Sequence, residues 1–198
     1  MKKEHLPSLK NIINNYEEFK KIAASLTWVD SEFVCCDASQ PFREIALYFF
    51  SVKFPNNYLQ TNFSNAVVQT MLSVMGEQEE WGYDCWKNMT SDERIESLTR
   101  CESFLSDYVC YKRCPMREMT SVEFMTDLRS WIPWAMTKEE ECLPYKKLLP
   151  ESVRAILSEF SQAEVVALGG TDYPFTPDET WIAVQEDAVL FVSFGCSG

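Results

Sequence analysis

The sequence predicts an α+β fold: a helical body over about residues 7–160 and a small antiparallel β region over about 163–196, in a single domain spanning 1–198. Three observations carry this expectation. Apolar residues recur at three and four spacing through much of the N-terminal part. Two Thr-x-x-Glu capping boxes mark helix starts, at Thr90 and Thr120. The C-terminal end changes character, to short β-rich runs separated by turn residues.

The first helix is expected over 7–26. Leu9, Ile12, Ile13, Tyr16, Phe19, Ile22, Ala23 and Leu26 share a face, with Asn14, Glu17, Glu18, Lys20 and Lys21 between them. Pro7 suits the first turn, where its missing N–H has no partner to lose. Glu32-Phe33-Val34-Cys35-Cys36 is a short β-rich run that reads as a strand able to join the C-terminal sheet. Ser39 and Pro41 look like a helix start, and Phe42 to Phe54 reads as a buried helix. A strand competes there, because periodicity cannot separate the two states in so apolar a run.

Pro55-Asn56-Asn57 marks a loop, and 64–75 returns to a helical pattern through Val67, Val68, Met71, Leu72 and Met75. Gly76 and Gly82 break the chain around an acidic, aromatic stretch. The capping box Thr90-Ser91-Asp92-Glu93 then opens a helix carrying Ile95, Leu98, Cys101, Leu105, Tyr108 and Val109 inward. A second box, Thr120 to Glu123, opens a shorter helix with Phe124, Leu128 and Trp131, ended by Pro133. Pro150 starts a last helix through Val153, Ile156, Leu157 and Phe160. Glu164 to Leu168 is a strand closed by Gly169-Gly170, and Thr171 to Asp178 a loop. Thr180–Val184 and Val189–Phe194 flank Gln185-Glu186-Asp187-Ala188 as a β-hairpin.

Composition excludes several classes. With 46% hydrophobic and 24% charged residues the chain reads as folded and globular. Its 18 basic and 30 acidic residues give a net charge of −12, which repels nucleic acid and anionic membranes. No run approaches the ~18–20 apolar residues of a membrane span. In MKKEHLPSLKNIINNY, the residues Glu4, Pro7, Asn11, Asn14 and Asn15 interrupt any apolar signal region, so a cytoplasmic location is expected. Most of the eight cysteines sit beside apolar residues and are expected to be reduced and mostly buried. The sequons at Asn62 and Asn88 then read as chance matches.

Signatures of catalysis are lacking. His5 is the one histidine, near the N-terminus, where a nucleophilic triad or dyad would have to find it. Cys110 and Cys114 have metal-ligand spacing, but no second tight pair accompanies them, so they read as two thiols near a helix end. Lys112 and Arg113 between them would favour thiolate and redox sensitivity. Neither phosphate-binding glycine motif nor a G-x-S-x-G elbow occurs, and Gly169-Gly170-Thr171-Asp172 reads as a turn. No catalytic residue, cofactor or metal is therefore expected. A carboxylate-based active site stays open as an alternative, since thirty acids form many pairs by chance.

The charge is unevenly placed. Residues 77–107 carry a net −6 and residues 151–198 a net −7, and everything else sums to +1. In the first segment Trp81, Tyr83 and Trp86 interleave with Glu77, Glu79, Glu80 and Asp84. Aromatics beside acids on a glycine-broken segment make a candidate hot spot for a basic protein. The competing reading puts Trp81 and Trp86 in the core. In the second segment Asp172, Asp178, Glu179, Glu186 and Asp187 fall in expected loops or turns, where binding residues often sit.

In these gross properties the chain resembles bacterial immunity proteins that neutralise polymorphic or contact-delivered toxins, which are small, single-domain, cytosolic, often acidic and free of catalytic signatures. The resemblance implies a non-enzymatic protein that binds a basic toxin domain, a nuclease among the candidates, and occludes its active site. It assigns no role to any residue. Two further readings stand beside it: an adaptor or regulatory module binding another protein, and an enzyme using unrecognised carboxylates.

Overall fold

In a computed structural model the chain is described over residues 5–38, 45–79, 81–100, 116–131, 151–169 and 179–196. The fold is α+β. The described helices are α1 (His5–Asn14), α2 (Tyr16–Ser25), α3 (Tyr58–Thr61), α4 (Phe63–Gln78), α5 (Ser91–Arg100), α6 (Ser121–Trp131) and α7 (Glu151–Glu159). The strands are β1 (Glu32–Asp37), β2 (Ile45–Lys53), β3 (Met116–Thr120), β4 (Glu164–Gly169), β5 (Glu179–Gln185) and β6 (Ala188–Cys196). The chain divides into two compact units, neither continuous in sequence.

The first unit gathers Met1–Phe33, Val52–Cys114 and Glu186–Val189. Its apolar N-terminal stripe forms two helices rather than one. Asn15 leaves helical geometry (φ −134°, ψ 93°), and its side chain accepts the Glu18 amide, which makes it the N-cap of α2. Leu9, Ile12, Ile13, Phe19 and Ala23 are buried, and both helices pack on α4. That helix is buried on nearly every side from Ala66 to Gly76. Three of its buried polar side chains find partners: the Gln69 amide donates to the Val29 carbonyl at 2.7 Å and accepts the Val29 amide at 3.0 Å. The Thr70 and Ser73 hydroxyls donate to Ala66 and Gln69 carbonyls one turn back.

One buried cation ties three elements of this unit together. Arg94 of α5 donates to the carbonyls of Ala23 and Leu26 at the end of α2 and to those of Trp86 and Lys87. Carbonyls at a helix C-terminus are left without intrahelical donors and carry partial negative charge, so a guanidinium fits there. Burial lowers the Arg94 pKa from its usual value. The capping box forms as the sequence predicts: Glu93 accepts from the Thr90 amide at 2.7 Å while the Thr90 hydroxyl accepts the Glu93 amide at 3.3 Å.

The second unit gathers Val34–Ser51, Pro115–Gln185 and Leu190–Gly198 and carries the body of a six-stranded antiparallel sheet, ordered β1-β2-β6-β5-β4-β3. β3 pairs β4 from Met116↔Leu168 to Thr120↔Glu164, and β4 pairs β5 from Glu164↔Val184 to Gly169↔Glu179. α6 packs on β3 and β4, its Phe124 meeting Trp181 edge-on at 5.9 Å. The second capping box also forms, with Glu123 accepting the Thr120 amide at 2.6 Å. α7 buries Val153, Ile156 and Leu157, the stripe its sequence predicts.

Two further expectations are corrected. The described part of the Phe42–Phe54 run is strand β2, not helix. Leu47, Phe49, Phe50, Ser51 and Val52 are all buried, as befits a central strand covered on both faces, and β-branched and aromatic residues fit that setting. The sheet includes β1, as the sequence allows, and is larger than the small C-terminal sheet expected, since β2 and the unforeseen polar edge strand β3 also belong to it. Residues 39–44, Cys101, Leu105, Tyr108–Cys114 and Pro133 lie outside the described residues.

Candidate functional site

The acidic, aromatic stretch is a series of turns between α4 and α5, and its shape follows from two glycines. The Gly76 carbonyl, near the end of α4, accepts the amides of Trp81 at 2.8 Å and Gly82 at 3.0 Å. Helix-end carbonyls need such partners, and here the returning chain supplies them. A β-carbon on Gly76 would run into the Gly82 carbonyl oxygen and lie 2.9 Å from Cys85 Sγ. Gly82 itself has φ +91°, a conformation that side chains disfavour. Turn hydrogen bonds continue the path: the Cys85 amide donates to the Gly82 carbonyl and the Lys87 amide to the Asp84 carbonyl.

Side chains then separate by depth. Trp86 is fully buried, and Arg94 Nε donates to its carbonyl at 3.0 Å, fixing the base of the loop. Trp81 lies against Trp86, ring centres 6.0 Å apart, yet keeps 47% of its surface exposed. Tyr83 is 37% exposed and stacks nearly parallel on Phe33, centres 5.1 Å apart and planes 5° apart. Glu79 and Asp84 are exposed and Glu77 is half-buried. Among the described residues none of these three carboxylates sits in an ion pair.

The neighbouring cation is already engaged. Lys87 Nζ lies 2.7 Å from Asp30 Oδ1. This hydrogen bond and attraction raise the Lys87 pKa, with smaller contributions from Asp84 and Tyr83, and lower that of Asp30. Two partly exposed aromatic side chains and two exposed carboxylates therefore share one short stretch whose backbone is tied by its own hydrogen bonds.

Of the residues expected in this stretch, Glu79, Trp81, Tyr83 and Asp84 lie in the turns after α4, whereas Glu77 lies in the last turn of α4 itself. Trp86 leaves the exposed set: it supports the loop from beneath. Glu80 lies outside the described residues, as do Asp172 and Asp178. Glu179 opens strand β5 rather than sitting in a loop. Glu186 is exposed at the hairpin turn with φ +51°, and Asp187 is spent on structure. Its carboxylate accepts the Asn57 amide at 2.9 Å and its carbonyl accepts the Phe54 amide at 2.8 Å. Phe33, Asp30 and Lys87 were not foreseen, because nothing local in the sequence links residues 30–33 to residues 83–87.

Among the described residues no group of three or more His, Cys, Asp or Glu side chains is placed to hold a metal ion. Cys36 is buried, Cys85 half-buried and Cys35 exposed. His5 stacks on Phe63 with ring centres 4.4 Å apart. No helix among the described residues is long and apolar enough to cross a membrane. Compared with protein-family models, with curated proteins and with solved structures, the chain matches none.

Proposed function

We propose that the chain is a non-enzymatic acidic binding protein that neutralises a basic toxin domain by direct contact, in the manner of the bacterial immunity proteins it resembles in size, charge and composition. One observation carries the reading: Trp81 and Tyr83 stand exposed among Glu79 and Asp84 on a loop whose backbone is fixed by Gly76 and Gly82. Exposed Trp and Tyr supply the apolar area that dominates interface energy, and surrounding carboxylates attract basic partners and reject anionic ones. A backbone held in its bound shape loses little conformational entropy on association. Against a nuclease, the carboxylates would stand where phosphates bind, which accounts for occlusion without any chemistry by this chain.

The test is co-expression with the toxin encoded beside this gene. Survival with the wild-type chain, and loss of protection with a folded Glu79→Lys/Asp84→Lys variant, is the expected result. Protection that ignores the charge reversal, or the lack of any toxin gene beside it, contradicts the reading.

A further inference from the structure

We infer that the loop's anchor site is built for an arginine side chain of the partner, which stacks on the exposed surface of Tyr83 while Asp84 and Glu79 receive its N–H groups. The inference rests on the proposed function and names the chemistry its surface would select. Phe33 stacks almost parallel on Tyr83, with planes 5° apart, while Tyr83 keeps 37% of its surface exposed. A planar, weakly hydrated guanidinium stacks on such a ring and still offers its fork to a carboxylate; a compact, strongly hydrated ammonium does neither as well. Carboxylates for that fork are at hand. Asp30 is occupied by Lys87, whereas Asp84 and Glu79 sit in no ion pair among the described residues. Lys87 is a resident cation beside this cluster, bonded to Asp30 at 2.7 Å and drawn also by the Asp84 carboxylate, and so it competes with an incoming cation.

The probe is a blocked Gly-Arg-Gly-Arg-Gly peptide, with its lysine and citrulline counterparts, titrated into the full chain and followed by the amide signals of residues 79–87 and the Trp81 indole signal. The arginine peptide is expected to bind about fivefold or more tightly than the lysine peptide, with the citrulline peptide weakest. Tyr83→Leu should bring the arginine and lysine peptides to near-equal affinity while retaining a salt-sensitive residue of attraction, and Tyr83→Phe should keep the preference. Lys87→Gln should tighten arginine binding about two- to fivefold by removing the competitor, and this arm does not depend on the Tyr83 variants folding. Equal affinity for the arginine and lysine peptides, a preference that survives Tyr83→Leu in a folded protein, or shifts confined to residues away from the loop would each overturn the inference. If arginine selectivity fails while charge reversal still abolishes protection, the inference falls and the proposed function stands. If the peptide binds as described but no toxin is neutralised, the anchor stands and the functional reading falls.

Discussion

Gly76 lies directly against Gly82: its carbonyl accepts the Gly82 amide at 3.0 Å, and a β-carbon on Gly76 would meet the Gly82 carbonyl oxygen, which is backbone and cannot rotate away. Glycine near the end of a helix ordinarily costs stability, so Gly76→Ala would be expected to gain about 1 kcal/mol on helix propensity alone. The close approach reverses the sign. We predict a net loss of about 1–2 kcal/mol in denaturant unfolding, from overpacking against a fixed neighbour. Gly82→Ala tests a different cause: its added β-carbon meets nothing within 4 Å, so its loss, about 1–2 kcal/mol, comes from φ +91° alone. A stabilised Gly76→Ala variant would mean that the loop does not close on the helix in this way.

Arg94 provides a second prediction. Its guanidinium serves four carbonyls, and among the described residues it has no carboxylate partner. Arg94→Leu should destabilise the chain by about 2–4 kcal/mol, because buried acceptors then lose their donors. Arg94→Lys should recover little, since one ammonium cannot reproduce the geometry of the fork. Urea unfolding of both variants checks this, and near-wild-type stability for Arg94→Lys would contradict it.

How much of this was legible follows from particular residues. The capping boxes at Thr90 and Thr120 formed as read because their chemistry is local: four residues contain both partners. The hairpin around Glu186-Asp187 was legible for the same reason. β2 was misread because a strand buried on both faces loses the alternation that marks strands. The break at Asn15 was missed although its signal was present, a capping residue followed by Glu17 and Glu18 in the next turn. At the site, acids and aromatics could be named from sequence. Their sorting into exposed Trp81 and buried Trp86 could not, because it depends on Arg94 and the Gly76 carbonyl, and on a fold that brings Phe33 to Tyr83.

Acid should weaken the chain through its caps. Hydrogen bonds from Thr90 and Thr120 hold the carboxyl pKa values of Glu93 and Glu123 below their usual values. A carboxylate with a depressed folded pKa contributes stability that is complete above its unfolded pKa, roughly 4.3, and is lost as pH falls through the folded value. Asp30, lowered by Lys87, acts in the same direction. Melting temperature should therefore fall as pH drops from about 5 toward 2, and the Glu93→Gln/Glu123→Gln variant should show a shallower fall. An acid limb of unchanged steepness in that variant would place the sensitivity elsewhere.

In the function proposed above, the exposed residues Glu79, Trp81, Tyr83 and Asp84 form the contact surface for a basic protein. The most direct measurement is the association rate between this chain and a basic toxin domain of the kind proposed as its partner, at low and high salt, for wild type and for Glu79→Lys/Asp84→Lys. Circular dichroism would confirm that the variant is folded. Association is expected to slow about tenfold or more at low salt, with the difference shrinking as salt screens the charges. An unchanged rate for the folded variant at low salt would contradict it.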